Sequence, residues 1–331
     1  MSGNRVVPSE EQVRAVLAEA GIGPDRLEAC EELAEGTFNS AYRLRMADGA
    51  DLVLKVAPDP AAPVMGYEHG MMRTEELFYR TAHGGVPVPE VVHASYDRSA
   101  VGSDLLLMTW RPGRTLYSLR AEHGSDRWNR LRSELGGTVA ALHRTTGPGF
   151  GYPQAGLAAD WRTAFLGMLD SVLADARRFE APLPVPADRI AELLHGRAGL
   201  LDGVGTPALV HYDLWPGNIL VEDTGRGPRI SALVDGERAF WGDPLAEAVS
   251  LALFGDIADD TAFLDGYRAA GGILELDESA RGRLALYRSH LYLIMLVEAV
   301  PRGYEGPDHD RQARYVAREL VGALAELSAR A

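Results

Sequence analysis

Two polar passages in the second half of the chain constrain its fold more than any other feature. Where the first passage ends and the second begins, short β-type runs at 218–222 and 229–234 flank a turn rich in Asp, Gly and Pro. This is the pattern of an antiparallel hairpin. Because the outer ends of a hairpin meet, we expect Asn218 to lie close to Asp235. The two passages read LVHYDLWPGNILV (209–221) and LVDGERAFWGDP (233–244).

The side chains at this expected meeting point suit one kind of chemistry. An amide oxygen from Asn218 and a carboxylate from Asp235 are hard ligands of the kind that Mg²⁺ prefers when water and phosphate fill its other positions. Asp213 stands five residues before Asn218 and would lie beside that metal. A loop carboxylate there can accept the proton of an attacking hydroxyl and orient it toward the γ-phosphorus of a bound triphosphate. Asp and Asn also cap ordinary turns, but their order and spacing here favour phosphoryl transfer.

The part of the chain that precedes these passages has its own pattern. The Ser-x-x-Gln box at 9–12 predicts a capped first helix. The Asp-Gly pair at 48–49 predicts a hairpin turn between two β-type runs. A helix is expected near 71–82 and a buried strand at 105–108. A small antiparallel sheet with few helices is therefore expected near the N-terminus.

The pattern changes at 111–113, where Arg-Pro-Gly interrupts the chain and most of the sequence beyond has helical periodicity. We therefore expect an α+β chain with two lobes. Residues 1–110 would form a small, β-rich N-terminal lobe. Residues 111–331 would form a larger, mostly helical C-terminal lobe that contains the hairpin.

The segment HYDLWPGN, followed by the Asp235 segment and WGDP, resembles the catalytic loop and metal-binding segment of the aminoglycoside phosphotransferase family. That family shares the bilobal fold of the eukaryotic-type protein kinases and includes choline kinase and fructosamine kinase relatives. The resemblance covers most of the chain. It implies a protein-kinase-like fold in which Asp213 is the catalytic base, Asn218 and Asp235 hold Mg²⁺, and His211 braces the loop.

A lysine and a helix carboxylate form a second candidate site near the N-terminus. Lys55 lies in the apolar run LVLKVA, and Glu75 shares the inward face of the expected helix with Met71 and Phe78. In kinase folds such an ion pair holds the α- and β-phosphates, and the resemblance implies the same role for Lys55 and Glu75. Glu76 is the alternative partner. A lysine and a glutamate that are merely exposed are the other alternative.

Two further nucleotide contacts follow from the resemblance. The run LLLMTWRPG looks like the family's hinge, which implies that the Thr109 carbonyl and the Arg111 amide bond the purine of ATP or GTP. The loop 35–40 occupies the place of a phosphate-covering loop, although it does not match Gly-x-Gly-x-x-Gly. No Walker-type Gly-x-x-x-x-Gly-Lys-Ser/Thr motif occurs, which excludes a P-loop enzyme.

The sequence departs from the family where the acceptor would bind. Tyr212 stands where the family usually has Gly, and Gly236-Glu237 follow Asp235 where many members have Trp-Glu. These changes alter the wall of the acceptor pocket, so the acceptor need not be an aminoglycoside. Four carboxylates are candidates to hold a cationic acceptor, or else belong to a solvated surface. They are Asp160, Asp256, Asp259 and Glu298.

Composition narrows the partners and the compartment. Thirty-three Lys and Arg against 47 Asp and Glu give a formal net charge of −14, which disfavours nucleic acid as a ligand. The longest strongly apolar run, 291–297, is far shorter than a membrane span. The single cysteine, Cys30, excludes an internal disulfide, and without a secretory signal we expect a cytoplasmic protein.

Three functions fit these observations. The leading hypothesis is a Mg²⁺-dependent kinase that phosphorylates a hydroxyl of a small, cationic molecule, such as an aminoglycoside antibiotic, and thereby confers resistance. The alternative is a metabolite kinase for a choline-, sugar- or amino-acid-like alcohol. The third is a kinase-fold module that binds a nucleotide without transfer. The candidate base, metal ligands and Lys55–Glu75 pair argue against this last reading.

Overall fold

The first helix, α1 (Glu10–Glu19), begins at the predicted capping box. The Ser9 Oγ accepts from the Gln12 N–H at 3.2 Å, and the Gln12 Oε1 accepts from the Ser9 N–H at 2.9 Å. These bonds satisfy two backbone donors that a helix N-terminus otherwise leaves open. The computed structural model describes residues 5–33, 38–120, 122 and 124–329.

Five antiparallel strands form the first sheet, in the spatial order β1-β2-β3-β5-β4. The turn between β2 and β3 is the predicted Asp-Gly turn, where Gly49 has a φ of +74° that other residues rarely adopt. The strands are β1 (Leu27–Glu32), β2 (Ser40–Met46), β3 (Leu52–Val56), β4 (Val91–Ser95) and β5 (Leu105–Thr109).

The two faces of this sheet differ because successive side chains of a strand point to opposite sides. One face, which includes Leu54 and Leu107, packs with α1 in a small separate core. The other face carries Lys55, opposite Leu106 of β5, and is covered by α2 (Met71–Ala82). Glu75 of α2 is fully buried. The lysine and the glutamate therefore approach each other from the sheet and from the helix.

Beyond Trp110 the chain is mostly helical, with two small sheets of order β6-β8-β9 and β10-β7. The predicted hairpin is confirmed, because β8 and β9 pair antiparallel with Ile219 opposite Leu233. The strands are β6 (Arg114–Thr115), β7 (Ala208–Val210), β8 (Ile219–Asp223), β9 (Pro228–Leu233) and β10 (Phe240–Gly242). The helices are α3 (Leu116–Leu119), α4 (Ser125–His143), α5 (Trp161–Arg178), α6 (Ala187–Gly196), α7 (Ala248–Leu251), α8 (Thr261–Ala269), α9 (Glu278–Val297) and α10 (Pro307–Ala329).

The larger hydrophobic core joins both parts of the chain. It includes Phe78 of α2 and Leu106 of β5 together with residues from most of the C-terminal helices. This arrangement confirms the predicted α+β class, with a small antiparallel sheet in an N-terminal lobe and a larger helical C-terminal lobe. In the part of the chain that the structure describes, we find no helix that combines the length and apolar character needed to span a bilayer.

Candidate active site

The β8–β9 hairpin brings Asn218 and Asp235 together at its open end. The Val234 N–H donates to the Asn218 carbonyl at 3.0 Å, so the residues that flank the two strands are neighbours. Asp235 has a left-handed backbone, with φ 66° and ψ 46°, and the chain turns there. A Cβ on Gly236 would lie 2.3 Å from the Phe78 ring of α2, so only glycine fits at this position. Packing against α2 therefore explains this departure from the family pattern.

Asp213 lies against the same end of the hairpin. The Asn218 Nδ2 donates to the Asp213 carbonyl at 2.8 Å and to the Asp213 Oδ2 at 3.2 Å. The His211 Nε2 donates to the Val234 carbonyl at 3.0 Å, and the His211 Nδ1 accepts from the Asp213 N–H at 3.3 Å. Burial lowers the pKa of His211, so the ring is neutral and braces the loop.

The surroundings of Asp213 favour its protonated form. Burial raises the pKa of Asp213 to about 7, because the loss of solvation outweighs the nearby Arg238 guanidinium, and other carboxylates add to the rise. The Arg238 Nε lies 3.9 Å from the Asp213 Oδ2. A carboxylate whose pKa is near neutrality is a stronger proton acceptor than an ordinary one.

We expect the Asp213→Asn variant to melt above the unchanged protein, by a margin that grows from about pH 4 to about pH 7. In the unfolded chain an aspartate loses its proton near pH ~3.9, whereas in the folded protein the pKa of Asp213 is raised to about 7. Stability therefore falls as pH rises through this window, and the amide removes that loss. Calorimetry of both proteins without nucleotide measures the margin. A margin that shrinks toward high pH contradicts the raised pKa.

A buried carboxylate, Glu247, holds the backbone of the Asp213 loop. Its Oε2 accepts from the His211 N–H at 2.7 Å and its Oε1 from the Tyr212 N–H at 2.8 Å. The Ser250 hydroxyl accepts from the Leu214 N–H at 3.0 Å and donates to the Glu247 carbonyl at 3.2 Å. Burial works to raise the pKa of Glu247, but the opposing interactions outweigh it and hold this pKa below its usual value. The loop therefore keeps its shape through an ionised, buried side chain.

Replacing Glu247 by Gln is expected to destabilise the fold by about 2–4 kcal/mol. The amide has one acceptor oxygen instead of two, so one loop N–H is left buried without a partner. Urea unfolding at neutral pH measures the change in free energy of unfolding. The matched control is Glu134→Gln at the surface ion pair with Arg229, which we expect to change stability by less than about 1 kcal/mol. Equal losses of unfolding free energy in the two variants would show that the bonds from Glu247 to the loop stabilise the fold no more than a surface ion pair does.

Lys55 stands at the centre of a cluster of carboxylates. Its Nζ donates to Glu75 at 2.7 Å and to Glu237 at 3.0 Å, and it also contacts Asp235. The Tyr79 hydroxyl donates to the Glu75 Oε1 and accepts from the Asp235 N–H, each at 2.9 Å. Tyr79 therefore links α2 to the hairpin end.

The alternative lysine partner, Glu76, points elsewhere. It accepts from the Arg80 Nε at 2.8 Å and from the Tyr96 hydroxyl at 2.5 Å. Glu75, and not Glu76, is therefore the residue of α2 that meets Lys55.

The loop expected at 35–40 is described only from Phe38 onward, and residues 35–37 lie outside the described residues. The Phe38 ring lies 4.4 Å from the guanidinium carbon of Arg302, and the Asn39 Nδ2 donates to Glu237. The segment that leads into β2 therefore touches the C-terminal lobe at the carboxylate cluster.

The charge balance around Lys55 fits a divalent cation. One ammonium group faces Glu75, Asp235 and Glu237, whose oxygen atoms lie within 4.8 Å of one another. Burial raises the pKa of Glu75 to about 7 and raises that of Glu237. Burial also opposes ionisation of Asp235, but the adjacent Lys55 ammonium holds its pKa below the usual value. Three carboxyl groups thus share one ammonium group, and the Asn218 Oδ1 and the Asp235 carboxylate are the oxygen donors that the hairpin end would offer to Mg²⁺.

The segment that joins the lobes lies against β9. Thr109 ends β5, and its Oγ1 accepts from the Glu90 N–H at 2.9 Å. The Arg111 guanidinium donates to the Ser231 carbonyl at 2.7 and 3.2 Å. These side-chain contacts hold the segment in place, while the resemblance assigns the purine contacts to backbone groups of Thr109 and Arg111.

Three of the four acidic acceptor candidates have local structural roles or surface positions. Asp160 caps α5, where it accepts from a first-turn N–H at 2.8 Å. Asp256 caps the short 3₁₀ helix Ile257–Asp259 and accepts from a backbone N–H at 2.9 Å. Asp259 is the last residue of that helix, and all three carboxylates are on exposed residues. These positions favour the solvated-surface alternative for the three residues.

Glu298, the fourth candidate, lies near Asp213 but is already paired. Its Oε2 accepts from the Arg238 Nη2 at 2.7 Å and lies 3.2 Å from the Arg302 Nη2. Arg238 also approaches Asp213, so this arginine lies between Glu298 and the candidate base. The negative charge of Glu298 is therefore neutralised by two arginines and is not available to hold a cationic acceptor.

Sequence reasoning did not predict the contacts that four residues make in this site. Glu237 and Arg238 follow Asp235 after one glycine, and this adjacent pair of charged residues was the available signal. Tyr79 stands one helical turn after Glu75, and Glu247 follows the WGDP segment. Apart from the bond between Tyr79 and Glu75, the partners of these residues are distant in the sequence, so local patterns do not identify most of the contacts.

Comparison with known proteins extends these observations. A family model described as a phosphotransferase enzyme family, APH, matches residues 29–287. A curated mouse protein, acyl-CoA dehydrogenase family member 10, is 30% identical over 104 residues, which are 31% of this chain and 9% of that protein. The chain therefore spans only a small part of the length of that relative.

Several solved structures are similar over nearly the whole chain. A candidate fructosamine-3-kinase from Thermobifida fusca has a TM-score of 0.64 at 22% identity and covers 93% of this chain and 99% of its own. A thermostable mutant of aminoglycoside phosphotransferase APH(4)-Ia, in a ternary complex with AMP-PNP and hygromycin B, has a TM-score of 0.63 at 19% identity, with 91% and 94% covered. Macrolide 2'-phosphotransferase MphH from Brachybacterium faecium has a TM-score of 0.60 at 22% identity, with 93% and 98% covered.

At these identities the solved structures establish a shared fold, which confirms the predicted bilobal, protein-kinase-like architecture. The family model does more, because its match extends from β1 to α9 and covers well over half of the chain. The chain therefore belongs to the APH phosphotransferase enzyme family.

Proposed function

We propose that the chain transfers the γ-phosphate of ATP or GTP, in the presence of Mg²⁺, to a hydroxyl group of a small molecule. The convergence of Asp213, Asn218 and Asp235 carries this proposal. Asn218 bonds Asp213 through its side chain at 2.8 and 3.2 Å, and its carbonyl bonds the residue before Asp235 at 3.0 Å. A proton acceptor and two oxygen ligands for a cation therefore share one end of the hairpin, as phosphoryl transfer to an alcohol requires.

In this proposal Asp213 accepts the proton of the acceptor hydroxyl. The hydroxyl oxygen then bonds the γ-phosphorus, while the bond from that phosphorus to the bridging oxygen breaks and the nucleoside diphosphate leaves with the electron pair. Asn218 orients the carboxylate of Asp213 through its Nδ2 group. The raised pKa of Asp213, about 7, suits a base that must take a proton at neutral pH.

The other site residues would bind and orient the nucleotide. Asn218 and Asp235 would hold Mg²⁺, which neutralises phosphate charge when bound. Lys55, held by Glu75 at 2.7 Å, would contact the α- and β-phosphates. The backbone carbonyl of Thr109 and the amide of Arg111 would bond the purine.

We also propose that the two lobes have different functions. Residues 1–110 would form the nucleotide-binding lobe, and residues 111–331 would supply the base, the metal ligands and the acceptor site. The side chain of Arg111 supports this boundary, because it joins the connecting segment to β9 of the C-terminal lobe.

Two acceptor classes come within this proposal. The first is an antibiotic such as an aminoglycoside, which is supported by the similarity in fold to proteins described as aminoglycoside and macrolide phosphotransferases. The second is a metabolite alcohol. The pairing of Glu298 with Arg238 and Arg302 favours an acceptor without a positive charge, such as a sugar-like alcohol of the second class, because it removes a carboxylate that could have held a cationic acceptor.

Purified protein with Mg-ATP or Mg-GTP and a library of both acceptor classes tests the proposal by mass spectrometry. We expect the mass of one phosphate to be added to an acceptor, and no addition without Mg²⁺. Growth of a host that expresses the protein, with and without antibiotic, separates the classes because only a resistance enzyme raises drug tolerance. Absence of any phosphorylated product together with absence of Mg-nucleotide binding contradicts the proposal.

A further inference from the structure

Four buried polar atoms without hydrogen-bond partners mark a region next to Asp213. They are the Nε atoms of Arg238 and Arg302 and the hydroxyls of Tyr67 and Tyr152, none of which has a partner among the described residues. The Arg238 Nε lies 3.9 Å from the Asp213 Oδ2. Buried polar groups in folded proteins almost always have a partner, so four such atoms in one region indicate that a binding partner is missing.

Several contacts place these atoms in one neighbourhood. The rings of Tyr67 and Tyr152 stack with their centroids 5.5 Å apart. Burial raises the pKa of both hydroxyls, and in each case the Arg238 charge opposes the rise, which places both hydroxyls within electrostatic range of Arg238. Glu298 joins Arg238 to Arg302, at 2.7 and 3.2 Å.

Two carboxylates of this region, Glu298 and Glu68, are already paired with arginines. Glu298 pairs with Arg238 and Arg302, and Arg302 also contacts Glu68. Glu68 in turn accepts from the Met65 N–H at 2.7 Å. The guanidinium groups of Arg238 and Arg302 therefore balance the charges of Glu298 and Glu68, and among the described residues Asp213 is the one further carboxylate within 4 Å of either guanidinium group.

The atoms that lack a partner are mainly hydrogen-bond donors. An arginine Nε can only donate, and a tyrosine hydroxyl has one hydrogen to donate. A carboxylate is the group that best satisfies several donors at once, because arginine binds it through charge-assisted bonds. An ammonium group would instead face two guanidinium groups and would leave both arginine Nε donors unsatisfied.

We propose that Arg238, Arg302, Tyr67 and Tyr152 recognise the acceptor, and that the acceptor is an alcohol that carries a carboxylate. This inference rests on the function proposed above and names the substrate class for the same site. Because Arg238 lies beside Asp213, a carboxylate bound there would hold a hydroxyl of the same molecule near the base. The site would therefore select hydroxy acids over neutral alcohols, and neutral alcohols over amino alcohols.

Acceptors matched in size but different in charge test this order. One set is glycerate, glycerol and aminopropanediol, and the other is gluconate, sorbitol and glucamine. We expect kcat/KM, measured by release of nucleoside diphosphate, to be at least about 10-fold higher for the acid than for the amine in a set that fits the site. A preference for the amine, or neither binding nor turnover of any acid, overturns the inference.

A substitution of Arg238 tests whether this residue causes the preference for acid acceptors. In Arg238→Gln we expect kcat/KM for the acid to fall by about 10–100-fold, with a much smaller fall for the neutral alcohol of the same set. Arg238→Lys, which keeps the charge, should recover part of the loss. The control is Arg229→Gln at the far end of the hairpin, which should leave the order unchanged. Equal losses on acid, neutral and amine acceptors would assign Arg238 a structural role and overturn the inference.

Calorimetric titration of the unchanged protein with Mg-AMP-PNP separates this inference from the proposed function. If Mg-nucleotide binds and an amine is phosphorylated best, the proposed function stands and the acceptor class is wrong. If neither nucleotide binding nor transfer occurs, the proposed function itself is wrong.

Discussion

Asp213→Asn should lower kcat by about 10³-fold, the largest effect that we expect from any single substitution. The amide cannot accept the proton of the acceptor hydroxyl, although it keeps the size of the carboxylate and can still contact Asn218. Binding of Mg-nucleotide should change little, because Lys55 and Asp235 are untouched. Single-turnover transfer to the best acceptor, with nucleotide affinity measured by titration, separates the two effects.

The matched control for this substitution is Asp170→Asn on α5. Asp170 is exposed and pairs with His195 at 2.8 Å, away from the hairpin. Its kcat should stay within about 2-fold of the unchanged protein. If Asp213→Asn also stays within that range, Asp213 is not the base.

Asp235→Asn should lower kcat/KM for the nucleotide by about 10²–10³-fold. The substitution removes a charged oxygen ligand from the hairpin end and leaves a neutral amide beside Lys55. The loss should depend on the metal, so the concentration of Mg²⁺ needed for half-maximal rate should rise. Initial rates over a range of Mg²⁺ concentrations at saturating acceptor measure both quantities.

Asp223→Asn, at the turn of the same hairpin, is the control for Asp235→Asn. The Asp223 Oδ1 accepts from the Gly225 N–H at 3.0 Å, a bond that an asparagine oxygen can also make. We expect no change in the Mg²⁺ requirement of this variant. An unchanged Mg²⁺ requirement in Asp235→Asn would remove Asp235 from the metal site.

Local sequence patterns were sufficient for the elements that position the site. The capping box at Ser9, the helix at Met71–Ala82 and the hairpin on either side of 223–228 lie where periodicity and turn residues predict them. Each depends on residues that are close in sequence, where propensity and side-chain period are informative. The approach of Asn218 to Asp235 follows directly from strand pairing.

The rest of the site depends on contacts between distant residues. Asn39 reaches Glu237, and Arg302 reaches Glu68, across most of the length of the chain. The position of an acidic residue in the sequence does not reveal whether it caps a helix, as Asp160 does, or neutralises buried arginines, as Glu298 does. Only tertiary packing distinguishes these uses, which is why the acceptor wall could not be derived from the sequence.

Crystals grown with Mn²⁺ in place of Mg²⁺ and a nucleotide analogue that cannot be hydrolysed allow the metal to be located by anomalous scattering. We predict a peak within coordination distance of the Asn218 Oδ1 and the Asp235 carboxylate, with the γ-phosphate of the analogue facing Asp213. A peak held by Glu75 and Glu237 away from Asn218, or a γ-phosphate remote from Asp213, would contradict the central claim that the hairpin end is the phosphoryl-transfer site.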